Sequence, residues 1–143
     1  MVENIEIGNS FIVPTPPSRH LFIVIALIPE KPKEEWLMVN LTTSHTQIDP
    51  KKDCILDPAN DLPNFINCRS TIVYREAIHY RKNIIIEEVK SGRWTQKETI
   101  PPQYVYEIQR IGASSKQLAN KYRNILKKII EDIEVGSGSL LKA

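Results

Sequence analysis

The sequence predicts a mainly β protein, a small antiparallel barrel closed by a C-terminal amphipathic helix. Three observations predict this fold: short apolar runs rich in β-branched residues, turn-forming residues between those runs, and one apolar stripe with helical spacing near the end. The connections are too short for the crossovers that parallel pairing requires. A chain of 143 residues fits one domain, which we assign to residues 1–135.

The first half of the chain contains the strongest strand signals. Phe11–Val13 predicts a strand, and the proline-rich segment 14–20 after it predicts a loop, because proline lacks an amide donor. Leu21–Ile28 is apolar on both faces, as a buried central strand should be. Trp36–Thr42 predicts its antiparallel partner across a charged loop.

Shorter strands are predicted farther along the chain. Asp53–Leu56 and Ser70–Tyr74 are separated by a loop dense in Pro, Asn and Asp. Ile84–Val89 predicts one more strand, ended by Ser91 and Gly92. Many short strands at this spacing favour a small barrel over βαβ units.

A helix is predicted over residues 114–133, with Ser114 as its cap and Gln117 completing a capping box. Its apolar residues recur every three or four positions, which favours packing on the barrel over binding to a membrane or nucleic acid. The stripe consists of Leu118, Tyr122, Ile125, Leu126, Ile129 and Ile133. Residues 136–143, with alternating Gly and Ser, predict a flexible tail of the kind used as an added linker.

Composition and motifs narrow the classes of function. The net charge of +2 combines −4 over residues 1–68 with +4 over 69–97 and +2 over the rest. No phosphate-binding loop, dinucleotide fingerprint, HExxH or GxSxG motif occurs, and the histidines and cysteines lack metal-ligand spacing. We therefore expect no metal and no cofactor. No run is long enough for a membrane helix and no signal peptide is visible, so we expect a cytoplasmic protein.

The residues that suggest chemistry flank the predicted central hairpin. Ser18, Arg19 and His20 precede the first long strand, and Thr42 and Thr43 end the second. A hairpin would bring these groups to one rim of the barrel. RNA cleavage by the neighbouring 2′-hydroxyl needs stabilised phosphate charge, which Arg supplies, and proton exchange, which His performs near neutral pH. On composition and spacing alone, polar loops that merely cap strand ends are the simpler interpretation.

The order of Gly8-Asn9-Ser10-Phe11-Ile12-Val13, a loop containing Arg19, an apolar strand and Asn40-Leu41-Thr42-Thr43-Ser44 resembles the MazF/PemK family of toxin–antitoxin ribonucleases. Ser70–Tyr74 and the closing helix occupy similar places. The resemblance covers about residues 6–133.

This resemblance implies an SH3-like barrel, a homodimer, metal-independent cleavage of single-stranded RNA, and an antitoxin protein that blocks the RNA groove. By position, Arg19 matches the catalytic arginine of the family and Thr43 its catalytic Thr or Ser, with Ser18 a weaker match. The proton acceptor is left to His20 or to another group.

A second function class stays open, a non-catalytic SH3-like module that binds a protein partner or nucleic acid. Trp94 lies among the basic residues Lys90 and Arg93, a combination that suits stacking on single-stranded RNA. We assign Thr42, Lys90, Arg93 and Trp94 as candidate RNA-binding residues. An aromatic ring is more often part of a core than of a platform.

Overall fold

A computed structural model describes residues 4–43 and 52–142, with side chains through residue 136. Six antiparallel strands form one sheet that curls into a half-barrel, in the order β4-β5-β3-β2-β1-β6. The strands are β1 (Ser10–Thr15), β2 (Ser18–Leu27), β3 (Glu35–Thr43), β4 (Ile55–Leu56), β5 (Ser70–Arg81) and β6 (Thr95–Lys97). The prediction of a mainly β, barrel-like fold with a C-terminal helix is confirmed.

Three helices accompany the sheet. They are α1 (Lys82–Lys90), α2 (Pro102–Gly112) and α3 (Asn120–Lys142). The described residues contain no helix with both the length and the apolar run that crossing a membrane requires.

The central hairpin forms as predicted, since Leu27 of β2 pairs with Trp36 of β3 and Phe22 pairs with Asn40. The predicted loop at residues 14–20 is wrong. Thr15 pairs with Ser18, so the turn is confined to Pro16 and Pro17, and residues 18–20 belong to β2. Pro14 is tolerated in β1 because the pairing of β1 with the edge strand β6 ends at Ile12.

The predicted strand Ile84–Val89 is also wrong, because this segment is helix α1. Only Ile85 is fully buried, while Ile86 and Val89 pack partly against the core and Ile84 is exposed. A one-sided burial at this spacing suits a helix, and tertiary packing outweighs the β propensity of three successive isoleucines.

The predicted helix 114–133 begins later and ends later than expected. Ser114 lies in the connection after α2, and α3 runs from Asn120 through the Gly/Ser segment to Lys142. Helix α2 was not predicted. Pro101 and Pro102 stand at its N-terminus, where a missing amide donor costs nothing, and Val105 and Ile108 bury its inner face.

Each face of the sheet carries its own core. On one face, Leu21, Ile23 and Val39 pack beneath α2 and α3. On the other, a smaller cluster containing Phe22 and Met38 packs beneath α1 and the N-terminal segment. Successive side chains of a strand point to opposite faces, so the two clusters show which face any residue of β2 or β3 occupies.

Close contacts fix α2 against the sheet and α3. The Gln109 side chain donates a hydrogen bond from Nε2 to the Ile25 carbonyl, at 2.8 Å. At Gly112, an added Cβ would lie 2.8 Å from both a Leu126 and a Tyr74 side-chain atom, so only glycine permits this approach. This packing holds α2 in place over the helix-covered face of the sheet.

Candidate functional site

The ends of β2 and β3 form a polar rim, residues 18–20 and 42–43. Phe22 pairs with Asn40 near the end of their ladder, and the same register continued toward the rim sets Arg19 opposite Thr43. On the other side of β3, Thr43 pairs with Ser70 of β5. The three strands therefore bring Arg19, Thr43 and Ser70 to one end of the sheet.

Strand alternation divides the rim residues between the two faces. Leu21 and Leu41 point to the helix-covered face of the sheet. By alternation, Arg19 and Thr43 point to that same face. Ser18 and His20 share the opposite face with Phe22, and Thr42 shares it with Asn40. Of the five predicted rim residues, Arg19 and Thr43 therefore lie on one face, and Ser18, His20 and Thr42 lie on the other.

A cavity of about 360 Å³ opens at this rim, and we call it the Arg19 groove. It is lined by Ser18, Arg19, His20, Leu41, Thr42, Thr43, Phe65, Asn67, Cys68 and Ser70. Arg19 is the only Lys, Arg, Asp or Glu among these residues. Its guanidinium is exposed, so the groove offers an anion one cation in a fork geometry that matches phosphate oxygens.

The loop before β5 supplies the outer wall of the groove. The Thr43 hydroxyl lies 3.4 Å from the Cys68 sulfur, and the Ser70 hydroxyl donates to the Cys68 carbonyl at 3.0 Å. Sequence reasoning missed Phe65, Asn67 and Cys68 as site residues. The only available signal was that they immediately precede the predicted strand Ser70–Tyr74.

The His20 side chain forms a hydrogen bond on the face opposite Arg19. Its Nδ1 forms a short hydrogen bond with the Thr15 hydroxyl, across the β1–β2 hairpin. This bond holds the imidazole against β1. The histidine thus contributes to the edge of the Arg19 groove, while its ring is directed to the other face of the sheet.

The structure does not bring Lys90, Arg93 and Trp94 to the groove. The Trp94 ring is 6% exposed and packs against Tyr80, with ring centroids 5.2 Å apart. The Arg93 Nε donates to a Glu88 carboxylate oxygen at 2.7 Å, and this hydrogen bond lowers the pKa of Glu88. The tryptophan belongs to the core, and the nearby arginine already has an anionic partner.

In the core of the helix-covered face, two buried ionisable groups are held in their neutral forms. Burial raises the pKa of the Cys54 thiol to about 11. Burial likewise raises the pKa of Tyr74, whose hydroxyl donates to the Ile108 carbonyl of α2 at 2.7 Å. These two groups support the sheet and the helix, and neither offers an anion to the groove.

No group of three or more His, Cys, Asp or Glu side chains within residues 4–43 and 52–136 is arranged to hold a metal ion. The side chains of the Arg19 groove supply one positive charge, several hydroxyls and an amide, a set that can bind an anion and orient a polar ligand.

Comparison with protein-family models, with curated protein sequences and with solved structures finds no significant match to this chain.

Proposed function

We propose that this protein is an endoribonuclease that cleaves single-stranded RNA at the Arg19 groove, as a toxin of the MazF/PemK type. The single observation that supports this most strongly is that Arg19 and Thr43 share one face, on adjacent strands, in a groove with one cationic side chain. A phosphodiester is the RNA group that such a groove suits best, because Arg contacts two of its oxygens at once.

In the proposed reaction, the 2′-oxygen of the substrate attacks the adjacent phosphorus. A 2′-O–P bond forms and the P–O5′ bond breaks, which leaves a 2′,3′-cyclic phosphate and a 5′-hydroxyl. Arg19 stabilises the negative charge that builds on the non-bridging oxygens, and the Thr43 hydroxyl donates a hydrogen bond to one of them. No metal takes part in this mechanism.

The proton balance is met by solvent. Arg19 and Thr43 are exposed, so water reaches the reacting atoms. Water accepts the proton of the 2′-hydroxyl and supplies one to the 5′-oxygen. We assign this role to water rather than to His20, because the imidazole is directed to the opposite face and its Nδ1 is bonded to Thr15.

As a toxin of this type, the protein acts in the cytoplasm as a homodimer and is neutralised by an antitoxin protein that covers the Arg19 groove. The resemblance set out under Sequence analysis motivates these three features. They extend the proposal from the chemistry of the groove to its biological control.

A second candidate function, a non-catalytic module that binds a protein partner, is favoured by one surface. An apolar groove of about 880 Å³ lies between α2, α3 and the N-terminal segment. Ile7 and Ile133 on its walls are 43% and 41% exposed. Exposed apolar surface of this kind is typical of interaction sites.

A cleavage assay separates the two candidates. We expect purified protein to cut single-stranded RNA in the presence of EDTA and to leave a cyclic phosphate detectable by mass spectrometry. Induction of the chain alone should arrest bacterial growth. Intact RNA at high protein concentration, together with normal growth, would rule out the ribonuclease and favour the binding module.

A further inference from the structure

A second cavity lies on the other side of the rim, directly beside the Arg19 groove. It has a volume of about 490 Å³, within the range typical of small-molecule sites. Ser18 and His20 line both cavities, so they form the wall between them. We call this second cavity the Glu76 pocket, after the only carboxylate among its lining residues.

The two cavities have opposite charge. Among the described residues, one Arg and no carboxylate line the Arg19 groove, whereas one carboxylate and no Lys or Arg line the Glu76 pocket. A phosphate is therefore repelled from the pocket and attracted to the groove. A ligand that spans both needs an anionic group at one end and hydrogen-bond donors at the other.

Asn40 and Glu76 place side-chain carbonyl and carboxylate oxygens at the Glu76 pocket. Asn40 is 2% exposed, and its Nδ2 donates to a Glu76 carboxylate oxygen at 3.2 Å, which fixes the orientation of the amide. The Asn40 Oδ1 has no hydrogen-bond partner among the described residues. Each carboxylate oxygen has two lone pairs, so Glu76 still accepts further bonds. The Asn40 oxygen is itself inaccessible, whereas Glu76 is exposed, so the carboxylate is the acceptor that a ligand in the pocket reaches.

The remaining walls suit the flat face of a nucleobase. Pro16, Pro17 and Ile78 are apolar, and Phe22 and His20 provide rings. Unpaired bases are commonly bound between apolar or aromatic side chains and read through hydrogen bonds to their edges.

We propose that the Glu76 pocket binds a guanine base next to the phosphate held by Arg19, an inference that rests on the proposed function for its RNA context. Guanine is the one standard base whose pairing edge presents two adjacent donors, the ring N1–H and the exocyclic amino group. A carboxylate accepts both together, in the same two-pronged manner in which it accepts Arg. The pocket thereby determines which RNA sequence the groove cleaves.

The test is a titration of the full chain with 5′-GMP, IMP, AMP, CMP and UMP, in which NMR amide chemical shifts report binding. All five ligands carry the same phosphate, so differences among them report on the base. IMP keeps N1–H but lacks the amino group, and this comparison needs no protein variant. We expect GMP to shift amides of Thr15, His20 and Asn40 and to bind about tenfold or more tightly than AMP, CMP or UMP, with IMP between.

Two variants locate the selectivity. Glu76→Gln replaces one acceptor oxygen by a donor nitrogen at nearly constant size, and it should remove the preference for GMP. Glu30→Gln makes the same change of charge in the β2–β3 loop and should leave the preference intact. Equal affinity for GMP and AMP, GMP no tighter than IMP, or a preference retained in Glu76→Gln would each overturn the proposal.

Failure of this inference is distinguishable from failure of the proposed function. A protein that prefers GMP but never cuts RNA would support the guanine pocket and contradict the ribonuclease. A protein that cuts RNA with no preference for guanine beside the cut would support the ribonuclease and contradict the guanine pocket.

Discussion

The two faces of the polar rim differ sharply although neighbouring residues build them. On one face, Arg19 and Thr43 form a groove in which, among the described residues, the charged group is a cation. On the other, His20, Asn40 and Glu76 form a pocket whose only carboxylate is Glu76. Because residues 18–20 are extended in β2, neighbouring side chains point to opposite faces, so Arg19 lies in the groove and His20 in the pocket. Proximity in sequence therefore does not make Arg19 and His20 partners.

The largest effect is expected at Arg19, and it tests whether cleavage depends on one face of the rim and not on the other. Arg19→Ala should lower kcat/KM for RNA cleavage by about 10²–10³, since it removes a preorganised charge-stabilising donor. Arg19→Lys should recover little, because an ammonium cannot make the two-pronged contact. His20→Ala, its neighbour on the other face, should stay within about tenfold of the parent rate. The melting temperature of each variant controls for folding.

Reversed results for this pair would break the comparison. An Arg19→Ala protein that cuts within tenfold of the parent, beside an inactive His20→Ala protein, would move catalysis to the opposite face.

A smaller effect is expected from chemical modification within the Arg19 groove. Iodoacetamide at pH 8 should modify the half-buried Cys68 and not Cys54, because burial and a pKa of about 11 keep the Cys54 thiol protonated. The added group, beside the Thr43 hydroxyl, should slow cleavage on the order of tenfold by misplacing the substrate. Peptide mass spectrometry identifies the modified thiol.

A Cys68→Ala protein provides the control, since it should cleave RNA normally and resist the reagent. Faster labelling of Cys54, or full activity after complete labelling of Cys68, would contradict the assigned geometry.

Removal of the Tyr74 hydroxyl should affect stability and not cleavage. Tyr74→Phe removes the buried hydrogen bond to the Ile108 carbonyl of α2 and should lower the free energy of unfolding by about 0.5–1.5 kcal/mol. Urea unfolding followed by circular dichroism measures the loss. Tyr106→Phe, on the half-exposed side of the same helix, is the matched control and should change little. A loss of activity at full stability would mean that Tyr74 acts in the groove.

The smallest effect is expected at Arg93, the matched arginine control for Arg19. Arg93→Ala removes an exposed ion pair with Glu88 and should shift the melting temperature by no more than about 2–4 °C. RNA cleavage and binding should be unchanged, because Arg93 does not line the groove. Weaker RNA binding by this variant would restore the RNA-binding role predicted for Arg93 from the sequence.

Much of the fold was readable from the sequence where the patterns were unambiguous. The apolar runs of β2 and β3 predicted the hairpin, and this hairpin predicted that Arg19 would lie near Thr43. The prediction was wrong for the proline-rich segment between β1 and β2. Pro16 and Pro17 alone make the turn, which leaves Ser18, Arg19 and His20 in strand β2. The period-two alternation of those residues was visible only once they were known to be strand.

Other features depended on distant packing. The isoleucines of α1 have a high intrinsic propensity for strand. The segment is nevertheless a helix, because mainly Ile85 packs in the core. Asn40 and Glu76 lie far apart in sequence and meet through a register shift between β3 and β5. Such a shift has no local sequence signal, so the Glu76 pocket could not be predicted.

The ends of the sheet have a consequence for how copies of this chain meet. The terminal strands β4 and β6 have only two and three residues. Beyond them, Pro14 interrupts the outer edge of β1, and the outer edge of β5 carries Arg75 and Arg81 around an irregular stretch. Short, charged or proline-bearing edges are poor templates for backbone pairing between chains. Fibrils built by strand addition are therefore disfavoured, and a dimer of this protein must use side-chain surfaces instead.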